Sequence, residues 1–320
     1  MSGSTGSSAA LSLPGMGLAT GAYVIWGLTP VYWKAIAEIP ATEVLIPRIV
    51  WTALLLLVVA WLTGRHAETW SVGARGWWPT GIAALLLGLN WGVFIFAVQS
   101  GQVLATSLGY YINPLVSTLL GLLILGERLS PAQAIAVLVA GLGVATMTLQ
   151  AGELPWVSLA LAVSFALYGL IHKLSPQPPI AGLTREMLVL SPVAFAGLLL
   201  LGQSEESALL EASLGTQAFL SLTSFVTASP LLLFHAATRR LPLIAVGMFQ
   251  YIAPTLTLLL AVVLYGEAFS QVHALGFGCV WTGLGLFTFD AFRRAHAMRG
   301  IASPTRNSRS ATPPAHGKSS

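Results

Sequence analysis

Apolar runs of roughly 18 to 23 residues recur along the chain as far as Phe292, broken by short polar turns. A run of that length makes a helix able to cross a hydrocarbon core of about 30 Å. The pattern predicts spans near residues 15–34, 43–63, 77–99, 103–125, 131–150, 154–173, 183–202, 216–238, 242–265 and 271–292. The expected fold class is an all-α polytopic membrane protein of ten transmembrane helices. Upstream, Met1 to Ala10 is rich in Ser and Gly and lacks a basic n-region, so the first run reads as a retained helix rather than a cleaved signal. After Phe292 the chain turns to Arg, Ser, Thr and Pro through Ser320, a composition that predicts a disordered tail.

Composition sharpens this picture. Of 320 residues, 55% are hydrophobic and 8% are charged, against about 25% charged in an average soluble domain. That is too little polar surface to solvate a soluble fold. The single cysteine, Cys279, lies inside the last apolar run, which excludes a disulfide framework and fits a small buried hydrophobe. A net charge of +4 invites comparison with nucleic-acid binders, but the basic residues lie in inter-helix turns and the tail rather than on one folded face.

Orientation explains those charges better. With the N-terminus inside, the inner turns hold Arg65, Arg75, Arg128, Lys173, Arg185, Arg239 and Arg240, and the tail adds Arg293, Arg294, Arg299, Arg306, Arg309 and Lys318. Only Lys34 falls outside, Arg48 lies within a span, and Glu38, Glu43, Glu153, Glu205, Glu206, Glu211 and Glu267 fall outside. The positive-inside rule then places both termini in the cytoplasm of a bacterial inner-membrane protein.

Two stretches repeat. SLGYYINPLVSTLLGLLILGERLS from Ser107 and GMFQYIAPTLTLLLAVVLYGEAFS from Gly247 register at an offset of 140, which carries Tyr111, Ile112 and Pro114 onto Tyr251, Ile252 and Pro254, and Gly126 and Glu127 onto Gly266 and Glu267. Near an offset of 142, Trp26 and Gly27 fall on Tyr168 and Gly169. Two motifs sharing one offset argue for duplication. Five helices per half is an odd number, so the second copy must insert upside down. The expected organisation is a disordered N-terminal segment (1–14), a first five-helix repeat (15–150), a second, inverted repeat (151–292) and a disordered, basic cytoplasmic tail (293–320). Inverted repeats place a binding site near the midplane between the halves, which points toward transport.

The residues also resemble a known family. YVIWGLTPVYWK from Tyr23, NWGVFIFAV from Asn90, the Ser107 stretch, SFALYGLIHK from Ser164 and the segment from Arg239 through YGE are similar to the RarD subfamily of EamA permeases, in the drug/metabolite transporter superfamily. The resemblance spans about residues 15 to 292. It implies ten helices, cytoplasmic termini, and export or exchange of small metabolites or drugs. This chain departs from the pattern in carrying AP in the second half where the first carries NP, and His172 where Arg or Lys is often found.

The candidate binding residues follow from helix chemistry. Pro114 and Pro254 sit mid-helix, where proline frees the carbonyl four residues earlier, those of Tyr110 and Gln250. Around them, Ser107, Tyr110, Tyr111, Ser117 and Gly121 in one half, and Gly247, Gln250, Tyr251, Thr257 and Ala261 in the other, form a stripe at helical spacing. Asn113 adds an amide. Asn90, Trp91 and Phe94 on the third span, with Trp26 and Tyr168 at paired positions, suit an organic, partly apolar ligand or a cation. Helix packing by small residues and kinks, or an interfacial aromatic belt, is the alternative. In the turns GERLSP and GEAFS, glycine ends one helix in a left-handed cap and Ser130 or Ser270 starts the next. His235 could carry a proton, or simply sit satisfied near the headgroups.

For gating, Arg48 lies within the second span and seeks an acidic partner at its level. Glu267 is the candidate, and inverted symmetry then pairs Arg185 with Glu127. In the alternative, Glu127 binds Arg128, Glu186 binds Arg185, and Arg48 snorkels outward. An intramembrane enzyme is disfavoured, because Asp290 is the only aspartate and no HExxH or HxxxxD spacing exists; a channel does not require paired central prolines. The reading names no cofactor and no metal. Its partners are the lipid bilayer, a small-molecule substrate and, at most, a second copy of the chain, with no nucleic acid.

Overall fold

The computed structural model describes residues 12–71, 73–100, 102–150, 156–203, 207–266 and 271–301. Glu153, Glu205, Glu206, Glu267, Ser270 and the stretch after Ile301 lie outside them. Among the described residues every regular element is a helix: α1 (Leu13–Ala35), α2 (Ala41–Leu62), α3 (His66–Trp70), α4 (Ala74–Gln99), α5 (Val103–Leu123), α6 (Pro131–Gln150), α7 (Trp156–Leu174), α8 (Pro179–Leu201), α9 (Ala208–Glu211), α10 (Leu214–Ser221), α11 (Thr223–Thr238), α12 (Leu243–Gln250), α13 (Ile252–Leu259), a π-helical turn (Leu260–Leu264) and α14 (Gln271–Ile301). Eight of the described spans are long and apolar enough to cross a membrane, α10 with α11 and α12 with α13 each counting as one; the apolar part of α5, Leu108–Leu123, is shorter. The protein is a multi-pass membrane protein.

Its radial pattern is that of a chain solvated by lipid. Ala19, Ala22, Ala83, Ala84, Ala136 and Ala140 are buried, while Leu85, Leu123, Leu138, Leu142 and Val263 are each more than 60% exposed. Large apolar side chains on the outside would be unfavourable in water, whereas small residues inside let helices approach closely. The α6–α14 seam is the tightest case. A Cβ on Gly143 would lie 2.5 Å from Gly276 O, and one on Gly283 would lie 2.5 Å from Ala136 O.

Helix ends follow local chemistry. Gly126 (φ 63°) and Gly266 (φ 68°) adopt the left-handed conformation expected of them. Ser130 then caps α6 reciprocally: its hydroxyl accepts from Gln133 N at 3.1 Å, and Gln133 Oε1 accepts from Ser130 N at 3.1 Å. Two expected spans are interrupted. At Leu222, Ser221, Thr223 and Ser224 donate their hydroxyls back to carbonyls at 2.6–2.7 Å, competing with helical bonding. At Tyr251, three residues before Pro254, the missing proline N–H releases the Gln250 carbonyl and α12 gives way to α13. Hydropathy is blind to both breaks. The last helix runs on to Ile301, past the expected end at Phe292.

Helix packing is paired. α1 lies against α11, α12 and α13, and α7 against α4 and α5; α2 packs on α11, and α8 on α4; α2 meets α8, α5 meets α12, and α6 meets α14. One end of the bundle gathers the start of α1, α3 and the turns that follow α5, α7 and α11. Hydrogen bonds from Ser12 to Arg240 O, Arg239 to Gln177 O, and Lys173 to Thr238 O and Leu241 O tie it together. At the opposite end Tyr32 donates to Phe219 O, and Glu43 is buried and accepts from Ser207 Oγ and Leu209 N.

Candidate functional site

An aromatic layer lies where α1, α7 and α11 meet. Trp26 contacts Tyr23, Phe165 and Phe234 at centroid separations of 5.3, 5.6 and 5.9 Å, and Tyr168 stacks on Phe234 at 5.9 Å with the planes 10° apart. The expected pair Trp26 and Tyr168 is thereby joined through Phe165 and Phe234. Beside this layer, Gln250 stands next to Tyr23. Tyr23 Oη, Gln250 Oε1 and Tyr251 Oη are buried without a hydrogen bond. Unpaired polar atoms inside a protein are costly, and Tyr23 Oη and Gln250 Oε1 are two of them on neighbouring side chains of α1 and α12. Gln250 is thus joined by Tyr23, which sequence reasoning had not singled out.

The asparagines do something else. Asn90 donates to Leu161 O at 3.0 Å and Ser164 Oγ at 2.9 Å, and Asn113 donates to Ala162 O at 3.0 Å while accepting from Ser117 Oγ at 3.3 Å. Their amides fasten α4 and α5 to the same turn of α7, residues 161–164. Tyr110 and Tyr111 point apart: Tyr110 is half exposed with Phe94 at 6.5 Å, and Tyr111 meets the edge of Phe277 on α14 at 5.2 Å. Pro114 marks the crossing of α5 and α12, where its carbonyl would stand 3.0 Å from a Cβ on Gly247. Pro254 lies just beyond the break that separates α12 from α13.

Arg48 is held by neutral groups among the described residues. Its Nε donates to Thr227 Oγ1 at 3.0 Å, and its guanidinium carbon lies 4.0 Å over Trp91 and 5.4 Å from Trp33. Tyr110 is close enough to interact with its charge. Glu267 lies outside the described residues.

The inner pair is not formed in this structure. Arg185, fully buried, donates to Glu68 O at 3.0 Å, to Thr69 O at 3.2 Å and to Gln177 Oε1. Glu127 instead accepts from Leu243 N at 2.6 Å and Ile244 N at 2.9 Å, the free donors at the start of α12. Neither the Glu127–Arg128 nor the Glu186–Arg185 bridge is present among the ion pairs of the described residues.

Glu186 has other neighbours. Its carboxylate accepts from Tyr168 Oη at 2.8 Å, lies 3.1 Å from His172 Nε2 and 4.0 Å from His235 Nε2, and is 1% exposed. Tyr168 Oη also meets His235 Nε2 at 2.6 Å, and the two imidazole rings lie 3.7 Å apart. His172, Glu186 and His235 present donor atoms within 4.8 Å of one another. Tyr168 stands between His235 and Glu186 at hydrogen-bonding distance of both, while His172 packs beside them with its Nε2 close to Glu186 but not hydrogen-bonded. The charge of Arg185 acts on Glu186. In the sequence His235 and Tyr168 stood out as candidates, His172 only as a departure from the family pattern and Glu186 only as an alternative partner for Arg185. The missing signal was that Glu186 and His172 are ionisable residues inside apolar runs.

Comparison with known proteins now decides the family. The model of the EamA-like transporter family matches residues 13–149. The chain is 41% identical over 286 residues to a Bacillus subtilis protein described as uncharacterized transporter YojE, covering 87% of this chain and 94% of that one. It is 38% identical over 279 residues to Escherichia coli protein RarD, covering 87% and 94%. The chain belongs to the RarD subfamily of EamA transporters. A further RarD relative, the chloramphenicol-sensitive protein RarD of Pseudomonas aeruginosa, is 33% identical over 304 residues. The RarD fold also matches a solved crystal structure at a TM-score of 0.68 and 17% identity, over 87% of this chain and 98% of that one, a likeness of fold alone.

Proposed function

We propose that this RarD-family transporter is a secondary carrier that moves a small metabolite or drug-like molecule across the bacterial inner membrane by alternating access. Its ten helices form two inverted repeats, 15–150 and 151–292, and both termini are cytoplasmic.

The observation that carries this reading is the pairing of helix contacts. Exchanging α1 with α7, α2 with α8, α4 with α10–α11, α5 with α12–α13 and α6 with α14 turns α1·α11 into α7·α4, α1·α12 and α1·α13 into α7·α5, and α2·α11 into α8·α4. The same exchange leaves α2·α8, α5·α12 and α6·α14 in place. The repeated GYYINP and FQYIAP stretches agree with it. So does the gathering of Arg128, Lys173, Arg185, Arg239 and Arg240 near one end, which is cytoplasmic by the positive-inside rule.

The two copies are not in the same conformation. α5 runs unbroken through Pro114, whereas its counterpart breaks at Tyr251 and ends in a π-helical turn. A carrier with inverted repeats changes access when the halves trade such conformations, a difference that a static channel does not need. Glu127, clamped on the start of α12, serves as the inner latch, and the sequence repeat makes Glu267 its outer counterpart. Trp26, Tyr23, Gln250 and Tyr251 line the site between the halves, with Trp91, Phe94 and Tyr110 on the Arg48 side. Chloramphenicol, which appears in one relative's name, is the first compound to screen.

Arg128→Cys and Glu267→Cys, each in a Cys279→Ser background, test the architecture. An impermeant thiol reagent should label Glu267→Cys on intact cells and Arg128→Cys only after the membrane is opened. Labelling of both from outside would rule out inverted repeats.

A further inference from the structure

We propose that Arg48 is the anion-binding group of the substrate site, so that the molecules carried are monovalent organic acids, each a carboxylate joined to an apolar or aromatic body. The inference rests on the carrier reading and adds to it the chemical class of the substrate.

Arg48 lies about a third of the way along the span Ala41–Leu62, roughly 10 Å of helix from its start. A cation at that depth is costly and is kept where it has a partner or a task. Among the described residues Arg48 has no acidic partner. Glu43, the acid on the same helix, accepts from Ser207 Oγ and Leu209 N instead. The hydrogen bond that Arg48 does make runs from Nε to Thr227 Oγ1 at 3.0 Å. Its Nη1 and Nη2 donate to none of the described residues, and neither is enclosed in the way that Arg185 Nε is. The side chain as a whole is only partly buried.

The surroundings select both charge and shape. The guanidinium carbon lies 4.0 Å from the ring centre of Trp91 and 5.4 Å from that of Trp33. Contact with an indole stabilises the cation without occupying its N–H groups, so the two Nη remain for a planar, bidentate acceptor such as a carboxylate. A cationic ligand is disfavoured, because the Trp91 ring that would receive it already meets a positive charge. A doubly charged phosphate is disfavoured too. One guanidinium balances one negative charge, and Lys34, next to Trp33 in the chain, stands over the ring of Tyr265 at 3.5 Å instead. Tyr110, half exposed and close enough to interact with the charge of Arg48, has Phe94 at 6.5 Å. Those two rings give the apolar body of the acid a wall beside the charge.

Position makes the charge useful. α2 carries the guanidinium, α1, α4 and α5 supply Trp33, Trp91 and Tyr110, and α11 supplies Thr227. The first four belong to one repeat and α11 to the other, so an acid bound there touches the seam along which the halves move. Arg48 then meets a countercharge when substrate arrives. That favours closure around the loaded site over closure around the empty one, which is what a carrier needs.

Calorimetry on the purified full-length protein in detergent, near neutral pH, tests the site with phenylacetate, phenylacetamide and benzylammonium, which share one body and differ in the head group. The acid should bind about tenfold or more tighter than the amide, as expected of a hydrogen-bonded ion pair, and the ammonium should bind most weakly. Arg48→Gln should bring the acid-to-amide ratio to about one, and Arg48→Lys, which keeps the charge but not the fork, should leave an intermediate ratio. Inorganic phosphate should not displace the acid. Equal binding of acid and amide by the wild type, no binding of the acid, or a preference for it that survives Arg48→Gln would overturn the proposal. Displacement by phosphate at the same concentrations would overturn it too, in favour of a phosphate site. The wild-type ratio decides the matter even where a variant fails to fold. The labelling of Arg128→Cys and Glu267→Cys is indifferent to these affinities, so failure here and failure of the carrier architecture are seen separately.

Discussion

Glu127→Ala should open the inner end of the protein and leave transport uncoupled from its cycle. The wild-type carboxylate accepts from Leu243 N at 2.6 Å and Ile244 N at 2.9 Å, joining the turn after α5 to the first turn of α12. Hydrogen bonds to a charged acceptor contribute about 1.5–3 kcal/mol each, and a negative charge at a helix start is further favoured by the peptide dipoles. Losing both shifts the closed-to-open ratio of the inner end by about 3 kcal/mol, roughly a hundredfold. Spin labels at Arg128 and Arg240 should move to longer separations, with Glu127→Gln showing a smaller shift because one carbonyl oxygen survives. An unchanged distance distribution would make Glu127 a simple helix cap.

Arg185→Ala should be the most destabilising single charge removal in the structure. The side chain is completely buried, and it supplies hydrogens to Glu68 O, Thr69 O and Gln177 Oε1 while acting on the adjacent Glu186. Its loss takes the Arg185 donor from the Thr69 carbonyl, leaves the Glu68 carbonyl and Gln177 Oε1 with only the Ser71 and Thr80 hydroxyls at 3.4 Å, and removes a positive charge that acts on Glu186. Breaking a buried charged network in this way costs about 3–5 kcal/mol. Arg185→Lys keeps the charge but not the planar fork that reaches three acceptors, and should recover less than half of the loss. Thermal unfolding in one detergent compares the three proteins directly. An Arg185→Ala midpoint equal to wild type would show that α3 and the α7–α8 turn are held by something else.

What the sequence made legible was whatever depends on the length and order of apolar runs. The helices of the described residues fall close to the expected spans, and the glycine turns at Gly126 and Gly266 have the expected backbone. Side-chain partnerships were less visible, because they depend on which helices meet. Asn90 and Asn113 looked like spare polar groups until α7 was seen to use both. Glu127 and Arg185 were expected to pair, yet Glu127 is satisfied by the backbone of α12 and Arg185 by the backbone of α3 and the Gln177 amide. The Tyr168–Glu186–His235 network joins residues 18 and 67 apart in the chain. No local pattern encodes that meeting. Tyr23 was passed over for a related reason: a tyrosine among apolar neighbours reads as packing, and only its unpaired hydroxyl sets it apart.

The central claim is that the protein carries its substrate by alternating access, and counterflow measures that directly. Purified protein in proteoliposomes is loaded with an unlabelled compound, chosen by its stabilisation of the folded state from a panel of metabolites and antibiotics that includes chloramphenicol, and traces of the labelled compound are added outside. A carrier returns with the labelled molecule against its own gradient, so the account predicts transient accumulation inside that collapses when the internal compound is removed. Labelled compound that only equilibrates, at a rate indifferent to what is loaded inside, would contradict it.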